Sequence, residues 1–213
     1  MRTLVVATTN QGKLREIRDL LADLPIEVKT LADYPSVATP EETGATFAEN
    51  ARQKALYYAA VTGALTVAED SGLEIDAMGG APGVHSARFG GEHSSYPEKF
   101  ALIYGALAEA GVATSTARFV CAVALAEPGQ VLVECRGTVE GTIAPEPRGA
   151  GGFGYDPIFF YPPFNSTLAE AADQKSSVSH RGQAFRALKA WFLAGGAGLA
   201  PQTVATGGHP TEA

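Results

Sequence analysis

The chain has 213 residues, 46% hydrophobic and 18% charged, and its 16 basic against 23 acidic residues leave a net charge of −7. That length suits one ordinary globular domain with chain enough for a core, and an acidic molecule with no basic run is a poor partner for duplex nucleic acid or an anionic membrane surface. No apolar run approaches a membrane span, and the stretch after Met1 is too short for a secretory leader, so neither a spanning nor a secreted protein is expected.

In chain order, TLVVAT is a short buried strand, and Asn10 to Leu21 form a helix with Leu14, Ile17, Leu20 and Leu21 at helical spacing. IEVKTL suggests a second strand. Thr46 or a neighbour caps the longer helix TFAENARQKALYYAAVTG, which Gly63 ends. LTVAED and GLEIDAM read as two strands either side of a turn at Asp70-Ser71-Gly72. GGAPGVHSARFGGEHS is loop, Tyr96 to Ala110 is helical, and FVCAVALAEPGQVLVECRG is a hairpin about Pro128-Gly129. Its two cysteines, Cys121 and Cys135, form neither a disulfide framework nor a zinc site; adjacent buried thiols in a reducing cytoplasm are the expectation. A glycine-rich segment, EPRGAGGFGYDPIFFYP, follows, and an amphipathic helix runs from about Ser179 to Leu193. These elements argue for an α/β fold with a mixed central sheet over residues 1–194. Residues 195–213 lack periodicity and bulky apolar side chains, and read as a disordered tail.

Five places could carry chemistry. Thr8, Thr9, Asn10, Gln11, Gly12 and Lys13 stand where a strand enters a helix, whose first-turn amides and positive dipole end attract anions. Taken alone, an N-cap and a solvated lysine explain this stretch more simply. Glu41-Glu42 precede a Thr-Gly turn and Glu69-Asp70 end an apolar strand; two or three such carboxylates can hold Mg²⁺ with water and phosphate, although strand-end acids also cap turns. Asn50 and Lys54 share a helix face, and Lys54 is a second candidate phosphate contact. Phe153 between glycines suits stacking on a planar ligand as well as it suits a tight turn folded on the core. Ser179, His180 and Arg181 open the last helix with cations against its dipole, near Lys175, which hints at a compensating anion or polar ligand.

Together, ATTNQGKLREI, EETGATFAENARQKA, AEDSGLEIDAMGGAPGVHSARF, GGFGYDPIFF and SHRGQA, in that order, resemble the inosine triphosphate pyrophosphatase family over about residues 3–193. The resemblance implies a Mg²⁺-dependent hydrolase that cleaves noncanonical purine nucleoside triphosphates (ITP, dITP, XTP) to the monophosphate and pyrophosphate. It further implies an elongated two-lobed α/β domain with the active site in the cleft between lobes, usually as a homodimer. Carried over by motif, Thr8 to Lys13 and Lys54 would hold the triphosphate, Glu42 and Asp70 the metal, and Asp70 would also be the general base. Ser71 would line the same site, and Phe153, Gly154, Tyr155 and Asp156, with Lys175, His180 and Arg181, would grip the base. Arg88 matches a family position of less definite role. Thr9 stands where glycine is common and His85 where tyrosine is common; neither removes a required group. Two alternatives stand beside this reading, a pyrophosphatase for other modified nucleotides of the Maf-like kind and a nucleotide sensor without turnover.

Overall fold

The computed structural model describes residues 2–196 and 202–205. β1 (Arg2–Val6) lies between two parallel neighbours, β2 (Ile26–Thr30) and β3 (Leu65–Ile75). Leu4, Val5 and Val6 are all buried, as expected of a strand covered on both faces rather than alternating. α1 (Gln11–Leu21) connects β1 to β2 and buries Leu14, Ile17 and Leu21. α2 (Phe47–Thr62) leads into β3 and is closed at both ends as its sequence predicts. Thr46 and Glu49 form a capping box, and Gly63 ends the helix in the left-handed conformation at φ 65°.

The turn expected at Asp70-Ser71-Gly72 is not there. Leu65–Ile75 is one continuous strand. Gly72 serves close approach instead of reversal: a Cβ at this position would fall against the Ser86 side chain and 2.7 Å from the Gly83 carbonyl oxygen. Ser86 Oγ uses that proximity to accept the Leu73 N–H at 2.9 Å.

α3 (Tyr96–Glu109) carries a capping box of Ser95 and Glu98. β4 (Thr116–Glu127) and β5 (Gln130–Ile143) flank the Pro128-Gly129 turn, with Gly129 at φ 84°. Cys121 and Cys135 are free, buried members of one apolar cluster, as the hairpin reading expected. β6 (Phe159–Tyr161) and β7 (Ser166–Thr167) continue the sheet in antiparallel fashion. The helix expected from about Ser179 is preceded by another, so that α4 (Ala172–Val178) and α5 (His180–Leu193) meet at Ser179. The tail read as structureless contributes β8 (Gln202–Ala205), parallel to Val133–Arg136 of β5. The remainder of that tail, 197–201 and 206–213, lies outside the described residues.

The strands form one mixed sheet in the order β2-β1-β3-β4-β5-β6-β7, with β8 on β5, so the α/β class with a mixed central sheet holds. The chain divides into two compact units, residues 1–70, 121–137 and 181–213 in the first and 71–120 and 138–180 in the second. Each has its own core. Leu4, Ile17, Val67, Val123, Phe185, Leu188 and Trp191 belong to the first, and Leu73, Ile103, Phe119, Ile143, Ile158 and Phe159 to the second. Among the described residues no helix is long and apolar enough to cross a membrane.

Candidate active site

In the first unit, β1 has β2 on one side and β3 on the other, so the chain leaves β1 toward β2 and then crosses back past β1 to reach β3. In open α/β sheets such a switch point opens a ligand crevice. Thr8 to Lys13 lie at this end of β1. The Ala7 N–H donates to the Val67 carbonyl at 2.8 Å, which leaves Ala68, Glu69 and Asp70 of β3 to run on past β1.

Asn10 does cap α1: its Oδ1 accepts the Gly12 and Lys13 N–H groups at 2.9 and 3.1 Å. Thr8 Oγ1 accepts the Asn10 N–H at 3.2 Å, so the segment is ordered by its own polar groups. Thr9, Asn10 and Gln11 are exposed. Lys13 is not simply a solvated surface residue, because its Nζ lies 2.9 Å from Glu69 Oε1.

Glu69 is the buried hub of this unit. Its carboxylate accepts from Arg181 Nε at 3.1 Å and Nη2 at 3.2 Å, and from the Cys121 thiol at 2.9 Å, besides pairing with Lys13. Burial alone would raise its pKa, but Arg181 and Lys13 hold it well below the usual carboxylate range. Arg181 Nη1 also donates to Glu16 Oε2 at 2.6 Å. A buried carboxylate balanced by two cations, one of them bidentate, is how such charges survive out of water.

Asp70, the next residue, has the opposite electrostatics. Its Oδ2 accepts from Asn50 Nδ2 at 3.0 Å and its Oδ1 lies 3.3 Å from Lys54 Nζ. Burial raises its pKa, and Lys54 and Asn50 offset this only in part. Lys54 Nζ also donates to Glu42 Oε1 at 2.5 Å. Burial would lower the pKa of this ammonium, yet the charge of Asp70 and the Glu42 hydrogen bond raise it overall. Asn50, fully buried, fixes the arrangement: its Oδ1 accepts the Gly44 N–H at 2.7 Å while its Nδ2 serves Asp70. Gly44 has to lack a side chain, since a Cβ there would meet Asn50 Oδ1 at 2.6 Å. The segment carrying Glu42 is thus tied to the strand carrying Asp70.

Two hard carboxylates drawn to one ammonium mark a place that demands positive charge. Among the described residues no group of three His, Cys, Asp or Glu side chains could enclose a metal. A two-carboxylate set nevertheless fits Mg²⁺, which keeps several waters and takes phosphate oxygens as its other ligands.

The second unit holds the aromatic segment. Asp156 Oδ2 accepts the Phe153 N–H at 2.9 Å and Lys175 Nζ at 2.6 Å. Lys175 Nζ lies 4.4 Å from the Phe153 ring centroid, a cation against a π face. Gly152 and Gly154, at φ 69° and 73°, let the backbone bend tightly enough for Asp156 to reach back over it. Phe153 itself is 37% exposed, which answers the question left open by its sequence: the ring stays out of the core. Tyr155 turns inward, its hydroxyl donating to the Ser86 carbonyl at 2.8 Å. Ser71 is half-buried in β3. His180 is buried and stacks on Phe119, with ring centroids 4.9 Å apart and planes inclined by 13°.

The sequence matches the Ham1 family model over residues 4–191. The chain belongs to the Ham1 family. A dITP/XTP pyrophosphatase of Gloeobacter violaceus is 52% identical over 189 residues, covering 88% of this chain and 93% of that protein. One from an Exiguobacterium species is 50% identical over 191 residues, covering 89% and 96%. Among solved structures, a HAM1 protein from Coxiella burnetii matches with a TM-score of 0.86 at 42% identity, covering 91% of this chain and all of that one.

In this Ham1 chain, the residues expected to act together are distributed as follows. Lys54, Glu42 and Asp70 converge, and so do Phe153, Asp156 and Lys175. Of the residues grouped by sequence as base contacts, Lys175 pairs with Asp156, His180 stacks on Phe119, and Arg181 pairs with Glu69 and Glu16. Glu16 was not singled out by the sequence, and Asn50 and Glu69 stood out only beside Lys54 and Asp70, with no role of their own. For Glu69 a signal existed, since a glutamate ending an apolar strand run must find a cation if buried. Its partner Arg181 lies 112 residues away, beyond any local pattern.

Proposed function

We propose that this chain hydrolyses noncanonical purine nucleoside triphosphates, ITP, dITP and XTP, to the monophosphate and pyrophosphate, and so cleanses the nucleotide pool. The observation that carries the reading is the convergence of Glu42 and Asp70 on Lys54 in the same unit as Lys13 and the capped Thr8–Gly12 segment. The curated relatives named dITP/XTP pyrophosphatase support it.

Lys13, Lys54 and the polar groups of Thr8 to Gly12 bind the triphosphate and offset the charge that builds up as the anhydride opens. Glu42 and Asp70 would hold Mg²⁺, which when bound neutralises phosphate charge and makes water a better nucleophile. Asp70, whose raised pKa suits proton uptake, takes a proton from the attacking water as its oxygen bonds to phosphorus and the bridging P–O bond breaks; pyrophosphate leaves with the electron pair. Glu69 keeps Lys13 and Arg181 oriented. In the second unit the exposed ring of Phe153, backed by Lys175, stacks on the base. Donors placed for a 6-oxo group would be left unpaired by the 6-amino group of adenine, and unpaired buried groups discriminate strongly. A homodimer in the cytoplasm completes the reading; sedimentation of the purified chain tests the dimer.

The test is pyrophosphate release with Mg²⁺ from ITP, XTP, dITP, GTP and ATP at equal concentration. Release from the first three, little from the last two, and loss on chelation are expected. Release from another nucleotide only would move the substrate, and tight binding without release would make the chain a sensor.

A further inference from the structure

Resting on that reading, we propose that Tyr96 is a further specificity residue, its phenol O–H donating a hydrogen bond to an oxo group of the base held at Phe153. Tyr96 opens α3 in the second unit and is 40% exposed, comparable to Phe153. It stands directly against the aromatic segment: a Cβ on Gly154 would lie 3.5 Å from Tyr96 Oη, so the bare α-carbon of Gly154 faces the hydroxyl. No described residue forms a hydrogen bond with that hydroxyl.

An ordinary surface tyrosine is loosely held, and this one is not. Tyr155 meets its ring edge-on, with centroids 5.3 Å apart and planes at 89°, and Phe100 packs at 6.2 Å. Lys99 Nζ lies 5.0 Å from its ring centroid. Lys99 is itself buried, and its ammonium donates to the Ala87 carbonyl at 2.6 Å. Among the described residues no carboxylate pairs with it, so the ring is its second source of electrostatic compensation. The phenol is therefore held from behind while its polar end remains open, as a preorganised contact requires. Burial, with the charge of Asp156, raises its pKa, so it stays protonated and able to donate.

The segment that carries Phe153 follows Gly152 and precedes Gly154, and Tyr96 Oη flanks the latter. Under this proposal a base stacked on Phe153 turns its oxo edge toward that hydroxyl, at the residue next along the chain from the ring. A phenol can also accept, so Tyr96 adds affinity for oxo purines without by itself rejecting adenine.

The experiment compares Tyr96→Phe, Phe153→Ala and the unaltered protein for KM and kcat on ITP and XTP, and for inhibition by inosine monophosphate. Melting temperatures are read alongside. Loss of one neutral hydrogen bond should raise KM and the inhibition constant together, about five- to tenfold, with kcat within twofold and the melting temperature unchanged. Unchanged KM and inhibition in Tyr96→Phe, with Phe153→Ala impaired, would overturn the role of Tyr96 alone. A fall in kcat together with a lower melting temperature would mark Tyr96 as structural and overturn it as well. Absence of turnover on ITP and XTP in the unaltered protein would instead overturn the underlying function.

Discussion

Glu69 and Asp70 are adjacent carboxylates that the fold treats in opposite ways. Glu69 is stabilised in its charged form by Arg181 and Lys13, whereas burial disfavours the charge on Asp70. Neutralising each should therefore have different consequences. Glu69→Gln leaves Arg181 and Lys13 without their common anion, and breaking one member of a buried ionic set costs about 3–5 kcal/mol. Urea unfolding should show this loss; a change under about 1 kcal/mol would mean that Glu16 and solvent suffice for both cations. Asp70→Asn removes a charge that burial penalises, which offsets the amide donor it turns toward either Asn50 or Lys54, so stability should stay nearly level. Turnover, in contrast, should fall by about 100-fold or more, the usual contribution of a positioned base. A stable, fully active Asp70→Asn protein would remove the base from the mechanism. Asp70 was legible in the sequence because it ends an apolar run. The electrostatics that distinguish it from Glu69 were not, since Arg181 is 112 residues from Glu69.

At the scale of elements, the signals that succeeded were local and stereochemical. Thr46 with Glu49 and the left-handed Gly63 delimit α2 because capping satisfies amides and carbonyls within a few residues. The failure was at β3, where Asp-Ser-Gly is a good local turn sequence, yet tertiary approach of Ser86 and Gly83 is what requires the glycine. The two glycines should accordingly respond to alanine by different mechanisms. Gly63 has open space around its missing Cβ, so Gly63→Ala suffers only the left-handed backbone, about 1–2 kcal/mol. Gly72 is not left-handed but is crowded, so Gly72→Ala should cost about 1–3 kcal/mol through overpacking. Adding Ser86→Ala should recover part of the second loss and none of the first. Equal behaviour of both glycines in this cycle, read from chemical denaturation, would return the Asp-Ser-Gly segment to being a conformational feature.

For the molecule as a whole, the chain passes between the two units at Asp70–Ser71, Val120–Cys121, Gly137–Thr138 and His180–Arg181. The first three passages fall inside β3, β4 and β5, so each unit owns part of three continuous strands. Neither core can be dissolved without interrupting hydrogen-bonded strands that the other needs, and two separate cores therefore should unfold as one. This organisation was half legible: hydrophobic periodicity located the strands, but which half of a strand joins which core depends on pairings far apart in sequence. Trp191, the only tryptophan, lies in the first core, while Ile103 is fully buried in the second. Ile103→Ala should cost about 2–5 kcal/mol. If the strands couple the units, tryptophan fluorescence, which reports only the first core, should shift to lower urea by the full amount. Far-ultraviolet circular dichroism should trace the same transition. An unmoved fluorescence transition with an earlier partial loss of circular dichroism would show two independently folding units. In that case Asp70 and Ser71, on consecutive residues of β3, would belong to units of separate stability, and activity would follow the weaker one.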